Sequence, residues 1–210
     1  MLEFAEYLKI TLGLLAILNP LGVVPVFISM TTDQNKQQLR RTINLVALSV
    51  AFLLLTSLFF GDAILAFFGI SIDSFRVGGG ILILLMAVSM LQGKQSSVKQ
   101  TAEEADESIE KESVAVVPLA MPLLVGPGAI STVILAAHKS QTASHYSLIA
   151  FGIVLVSCIV WLTFRLSPWI SKHISATGIN VGTRIMGLIL AAIAVEFIAN
   201  GLKGLFPVLA

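Results

Sequence analysis

The sequence predicts an all-α membrane protein of six transmembrane helices, built as two inverted three-helix repeats in which helices 1 and 4 are discontinuous. Three observations carry that prediction. The chain is 56% hydrophobic and only 12% charged, with a mean hydropathy of +0.93, far from the balance of a soluble domain. Its charges are clumped, and the runs between clumps approach the about 20 residues needed to cross a ~30 Å hydrocarbon layer. The same helix breakers also recur at matching points of the two halves. A transmembrane barrel would show short segments of alternating polarity, whereas these runs are continuous.

The first run covers residues 8–30 and is interrupted in its middle by "NPLGVVP", with Asn19, Pro20, Gly22 and Pro25. The second covers residues 43–60 and extends past Asp62 to residue 70; the third covers residues 77–91. A polar stretch follows, residues 94–112, rich in Glu and Asp, which reads as a solvated cytoplasmic loop. The fourth run, residues 114–137, is interrupted by Pro118, Pro122 and the triplet Gly126-Pro127-Gly128. The fifth covers residues 146–164, and the sixth, residues 185–202, carries Glu196. The division is therefore a first repeat over residues 1–93, the loop 94–112 and a second repeat over 113–210. The N-terminus lacks the basic cluster and small-residue cleavage site of a removable signal, so it is expected to remain as the first helix.

Six crossings put Lys9, Arg76, Lys139 and Lys203 on one side of the membrane. The other cations, from Lys36, Arg40 and Arg41 through Arg165, Lys172 and Arg184, fall on the opposite side. The cation-rich side is expected to be cytoplasmic, which places both termini on the periplasmic or extracellular side of a bacterial inner membrane.

The repeat is visible by direct alignment. "RVGGGILILLMAVSMLQG" from Arg76 and "RIMGLILAAIAVEFIANG" from Arg184 match without a gap: Gly79 meets Gly187, Gln92 meets Asn200 and Gly93 meets Gly201. "PLGVVPVFIS" from Pro20 and "PLLVGPGAIS" from Pro122 match Pro-Leu, a second proline and a final Ile-Ser. Three crossings per copy is an odd number, so the second copy must be inverted. Inverted repeats with discontinuous helices characterise many secondary transporters, which bind substrate near the bilayer midplane. Broken backbone at that depth is tolerated only where protein buries it or it lines a cavity. A half-helix that starts at a break presents free N–H groups and a positive dipole end; the half that ends there presents free carbonyls. A zwitterionic amino acid requires one of each, and glycines leave both accessible. The candidate substrate-binding residues are therefore Asn19, Pro20, Gly22, Pro25, Gly126, Pro127, Gly128, Ser131 and Thr132. The competing reading of either break is a packing kink, of Asn19 a helix cap, and of Ser131 and Thr132 back-bonding within their own helix.

Glu196 lies close to the centre of the last run, where an ionisable group is expensive and usually functional. It is a candidate proton-coupling carboxylate, expected to be buried, against the alternative of a structural carboxyl. Arg76 and Arg184 each begin a helix, an unfavourable place for a cation. They are candidate gating residues or interface anchors, with Asp73 available to pair Arg76 and a lipid phosphate or another partner for Arg184. His138, His145 and His173 lie near loop ends without metal-ligand spacing, and the lone Cys158 reads as a small buried hydrophobe. No cofactor, metal or nucleic-acid partner is implied by these residues or by the net charge of +1. No nucleophile–base pattern suggests an enzyme, and no Walker motif suggests ATP drive.

"NPLGVVPVF", "MPLLVGPGAIST", "GISIDSFRVGGG" and "GINVGTRIMGL" together resemble the MarC family of inner-membrane proteins, an uncharacterised membrane-protein family related to small neutral amino acid transporters. The resemblance runs over nearly the whole chain. It implies a six-helix inner-membrane protein whose site residues lie at the two broken helices, over residues 19–25 and 122–131. The expected function is secondary transport of a small neutral solute, a small amino acid first; proton coupling is an option, with Glu196 its candidate carboxylate. A broad-specificity exporter or channel and a non-transporting membrane assembly partner are the alternatives. The expected partners are the lipid bilayer, a small solute and further copies of the chain, as dimer or trimer.

The charge asymmetry gives a direct test. A reporter enzyme active only outside the cytoplasm is expected to be active when fused after residue 210 and inactive when inserted within residues 94–112. The reverse pattern would overturn the orientation.

Overall fold

A computed structural model describes residues 3–93 and 115–209, so the polar stretch expected as a cytoplasmic loop, residues 94–112, lies outside the described residues. The described residues are helical throughout, with no strand among them. In chain order the helices are α1 (Phe4–Leu18), α2 (Pro20–Met30), α3 (Lys36–Phe67), α4 (Ile72–Leu91), a π-helix π1 (Ala115–Leu124), α5 (Pro127–His138), α6 (Ala143–Arg165), the short α7 (Ser167–His173) and α8 (Ala176–Leu205). Five stretches are long and apolar enough to cross a membrane: Phe4–Met30, Lys36–Phe67, Ile72–Leu91, Ala143–Arg165 and Thr177–Leu205. The stretch expected as a fourth span is instead two short apolar pieces, π1 and α5, neither of membrane length.

Several helices begin well before the apolar runs that announce them. α3 starts seven residues ahead of Ile43 because Asn35 and Gln38 form a reciprocal cap: the Asn35 side chain accepts from Gln37 N and Gln38 N, and Asn35 N donates to Gln38 Oε1. Ser71 caps α4 and Ser175 caps α8 by accepting from Ser74 N and Gly178 N. These turns are polar, so hydropathy alone starts each helix late. α3 ends at Phe67, and Gly69 just beyond it, with φ +65°, permits the reversal, with Ile70 N donating to Leu65 O and Gly69 N to Ala66 O.

The packing has two motifs. In the first, α4 and α8 run antiparallel with their backbones in close approach. A Cβ built on Gly80 would lie 3.0 Å from the Ala194 carbonyl oxygen, and one on Gly187 would lie 3.1 Å from the Ala87 carbonyl oxygen. Gly201 lies against Asp73 and Val77, Gly204 against the Asp73 carboxylate, and Gly93 against the Arg184 guanidinium. Small residues let helices approach in this way where no hydrophobic force drives them together. In the second motif, a discontinuous pair runs alongside a long helix of the other half. α1 and α2 follow α6 in parallel, from Tyr7 beside His145, through Thr11 against Gly152, to Phe27 stacked on Phe164 at 4.3 Å. α5 follows α3, with Ile134 pressed on Gly61 and His138 paired with Asp62 at 3.4 Å.

α5 is the most enclosed helix: every residue from Gly128 to Ala137 is buried except Ile130, which is half-buried. A helix apolar all round belongs inside a bundle rather than on its surface. Cys158, expected as a buried hydrophobe, is exposed on α6 instead.

The α4–α8 contact yields a paired prediction. Gly80→Ala should destabilise the protein by about 1–3 kcal/mol, because the added methyl meets backbone atoms that cannot step aside. Gly78→Ala, with nothing within 4 Å, should be neutral or stabilising by about 0.5–1 kcal/mol. Thermal unfolding in detergent micelles checks the pair, and equal shifts would refute the close approach.

Candidate functional site

The site grows from two interruptions of the helical backbone. At the first, Asn19 adopts the left-handed conformation, with φ 46° and ψ 59°, the one positive φ among the described non-glycine residues. Its N–H donates to Leu15 O and closes α1, while its side-chain oxygen accepts from Gly22 N at 3.3 Å and opens α2. Asparagine is suited to both tasks: its short amide tolerates the left-handed region and its oxygen caps a helix start. Pro20 follows at the first helical position, where its missing N–H costs nothing. Pro25 lies inside α2, so the Leu21 carbonyl does not receive its usual helical bond. Gly22 is required here, because a Cβ would collide with the folded Asn19 side chain and lie 3.0 Å from Thr183 Oγ1 of α8.

At the second interruption π1 ends with Val125 N donating to Ala120 O at 2.8 Å, a wide i→i−5 bond. Pro118 and Pro122 within π1 donate no N–H, and short π segments of this kind mark functional positions in other helices. Gly126, extended at φ −87° and ψ 176°, is the N-cap of α5, with no side chain closing that cap, and Pro127 is its first residue. Gly128 lies close behind. A Cβ there would lie 3.1 Å from Ile83 Cγ1 and 3.1 Å from Met86 Sδ of α4, and 3.8 Å from Ile17 Cγ2. Ile17 belongs to the last turn of α1, so the two interruptions lie against each other in the interior, with Leu123, Leu124 and Val125 fully enclosed beside them. Ser131 faces α4, with Gly79 cut away to receive it.

The sequence-derived candidates fall into two groups. Asn19, Pro20, Gly22, Gly126, Gly128, Ser131 and Thr132 lie at or within two turns of the interruptions, and Pro25 and Pro127 sit there with more exposed rings. Ser131 and Thr132 are buried, and their hydroxyls donate to Pro127 O and Gly128 O, each at 2.8 Å. The other group lies elsewhere. Arg76 pairs with Asp73 at 3.2 Å in the first turn of α4, the partner expected from sequence. Arg184 lies at the carboxy-terminal end of α4, beside Gly93 with φ +69°. That is the negative end of the α4 dipole, a favourable place for a cation. Arg184 was expected to begin a helix, but α8 starts at Ala176, so Arg184 lies two turns inside it. Glu196, expected to be buried, is exposed on the outer face of α8 within the single chain, because the register of α8 turns Gly187, Leu190, Ala194 and Gly201 inward instead.

One constellation was not legible in the sequence. His145, fully buried, accepts or donates at both ring nitrogens: Nδ1 is 2.8 Å from Tyr7 Oη and Nε2 is 2.8 Å from Ala136 O. The carbonyl can only accept, so Nε2 carries the proton. The ring thereby ties α1, α5 and α6 together at the end of the bundle that also holds Asp62 and His138. The link to Tyr7 spans 138 residues, and no local signal announces it. Among the described residues, no three His, Cys, Asp or Glu side chains gather as a metal site.

With this geometry in view, comparison with known proteins decides the family. A profile of the MarC family integral membrane proteins matches residues 4–206. The chain belongs to the MarC family. The UPF0056 membrane protein YhcE of Escherichia coli is 48% identical over 206 residues, 98% of this chain and 95% of that protein. The UPF0056 membrane protein YvbG of Bacillus subtilis is 38% identical over 98% of both chains. An Aquifex aeolicus member is 40% identical over 95% of this chain and 93% of its own. No solved structure matches the chain. Membership in the MarC family makes this a multi-pass integral membrane protein, as its apolar helices require.

Asn19 permits a sharp test of the first interruption. Asn19→Ala should lose about 1 kcal/mol from the cap and about 1–2 kcal/mol from left-handed strain. Asn19→Gly, free of that strain, should lose only a few tenths of a kcal/mol. Unfolding temperatures in micelles should rank wild type, Gly, Ala; an Ala variant as stable as the Gly variant would show that the left-handed turn is not needed.

Proposed function

We propose that this MarC family member is a secondary transporter of a small neutral solute, a small amino acid first among them, and that the solute binds where the two helix interruptions meet. The observation that carries the reading is the closeness of Gly128, two residues past the second interruption, to Ile17, two residues before the first: a Cβ on Gly128 would lie 3.8 Å from Ile17 Cγ2. Beside it α5 begins without a side-chain cap: Pro127 has no N–H, and Ala129 N and Ile130 N donate to Gly126 O, which leaves the Gly128 N–H as the donor of that turn for a solute carboxylate. The buried, glycine-lined approach favours small side chains.

The finer architecture belongs to the same proposal. α4 and α8 carry the aligned repeat sequences and run antiparallel, so that Gly93 meets Arg184 while Gly201 meets the backbone of Asp73 and Val77. An antiparallel pairing requires an even number of crossings between them. α6 supplies one; π1 and α5 together supply the other. That count supports six crossings in two inverted halves, with rocking of one half against the other as the transport motion. The orientation with both termini outside follows the charge asymmetry. Glu196 stands away from the interruptions, and the proposed binding site does not include it.

The test is uptake of radiolabelled glycine, alanine and serine by proteoliposomes, with and without an imposed proton gradient. Wild type is run beside Gly22→Ala, which displaces the Asn19 side chain, and Glu196→Gln. Saturable uptake by wild type that Gly22→Ala reduces about tenfold or more is expected, with Glu196→Gln retaining uptake. Folded wild-type protein that takes up none of the three above empty liposomes would overturn the amino-acid reading.

A further inference from the structure

α8 is the least covered of the apolar spans, with only 22% of an apolar 18-residue stretch of it buried. Its outward face combines Ile185, Leu188 and Val195 with Ala192, Glu196, Ala199 and Asn200, all exposed. Among the described residues Glu196 has no hydrogen-bond or ion-pair partner in this chain. It lies within the apolar run of residues 185–202, six residues before its end, about 9 Å along the axis, farther than a glutamate side chain extends. A carboxyl left against acyl chains at that depth is expensive, and lipid tails supply no donor. Something other than lipid must cover this face.

We propose that a second copy of this chain covers it, in a two-fold dimer whose axis runs along the membrane normal through paired α8 helices. Self-complementarity selects this occupant. Copies inserted with the same topology meet at such an axis with their α8 helices parallel and the same residues facing. Asn200, one turn from Glu196 on the same face, offers the amide donor that the carboxyl lacks. The bond from the Asn200 amide of one copy to the Glu196 carboxyl of the other is then made twice. Ala192 and Ala199, two turns apart on this face, let the helices approach closely enough for it. The inner face of α8 is already committed to α4, through Gly187, Ala194 and Gly201, so the two contacts do not compete.

The experiment uses the full chain in native membranes with Cys158→Ser as background and a single cysteine at Ala192, Ala199 or Leu155. Leu155 is the control, exposed on α6. Oxidation bridges two cysteines only where their Cβ atoms come within about 4.5 Å. The expected result is a disulfide dimer at 192 and 199 with little at 155. Adding Glu196→Leu to the 199 variant should lower the dimer yield about tenfold, whereas Glu196→Gln, which retains an acceptor, should preserve most of it. Equal cross-linking at 155 and 199 would reveal random collision and overturn the proposal. So would a monomer by light scattering in micelles together with no cross-link, or a Glu196→Leu variant that cross-links like its parent. A cross-link from 199 to a different protein with none between copies would assign the face to another partner and equally overturn it. None of these outcomes depends on transport.

Discussion

In a hydrocarbon layer a backbone amide or carbonyl without a partner costs several kcal/mol, and that constraint shapes this molecule at its centre. The helical backbone stops and restarts at two points, Asn19 and Gly126. At the first stop a single residue handles both ends: Asn19 closes α1 with its backbone and opens α2 with its side chain. At the second, a π turn carries the chain past two prolines before an extended glycine starts α5. Most of both is enclosed: Leu18, Pro20, Leu123, Leu124, Val125, Gly126 and Gly128 are buried, while Pro25 and Pro127 are exposed. The almost complete burial of α5 follows from this.

Glycine makes the enclosure compact. Gly128 accepts Ile83, Met86 and Ile17; Gly79 accepts Ser131; Gly61 accepts Ile134; Gly80, Gly187 and Gly201 bring α4 and α8 into backbone contact. α4 therefore touches the α5 interruption on one side and α8 on the other. A movement of α4 with α8 would be felt at the interruptions through direct packing, without any longer path. The fully bonded His145, joined to Tyr7 and the Ala136 carbonyl, holds α1, α5 and α6 at one end of the same assembly.

The polar groups at membrane depth are thereby divided. The self-bonded hydroxyls of Ser131 and Thr132 are buried. Glu196 and Asn200 face outward on α8. An interior of neutral donors and acceptors suits a neutral or zwitterionic solute. An outward carboxyl and carboxamide one turn apart suit a partner of the same kind.

The sequence by itself determined the membrane class, the places where helices break, Asn19 as a candidate cap and the pairing of Asp73 with Arg76. Each of these rests on local chemistry: apolar length, proline and glycine, a side chain three residues from its target. The polar caps Asn35, Ser71 and Ser175 that start α3, α4 and α8 were not read from the sequence. It also displayed the aligned halves whose third helices prove to be antiparallel neighbours. Which face of each helix turns inward was decided only in three dimensions. In water the apolar face marks the core, but a helix surrounded by lipid is apolar on every side, so its pattern does not distinguish neighbour from acyl chain. Glu196 was therefore expected inside and stands outside, as does Cys158. For the same reason the contact of His145 with Tyr7, and of Arg184 with the end of α4, appeared only when helices distant in sequence were packed together.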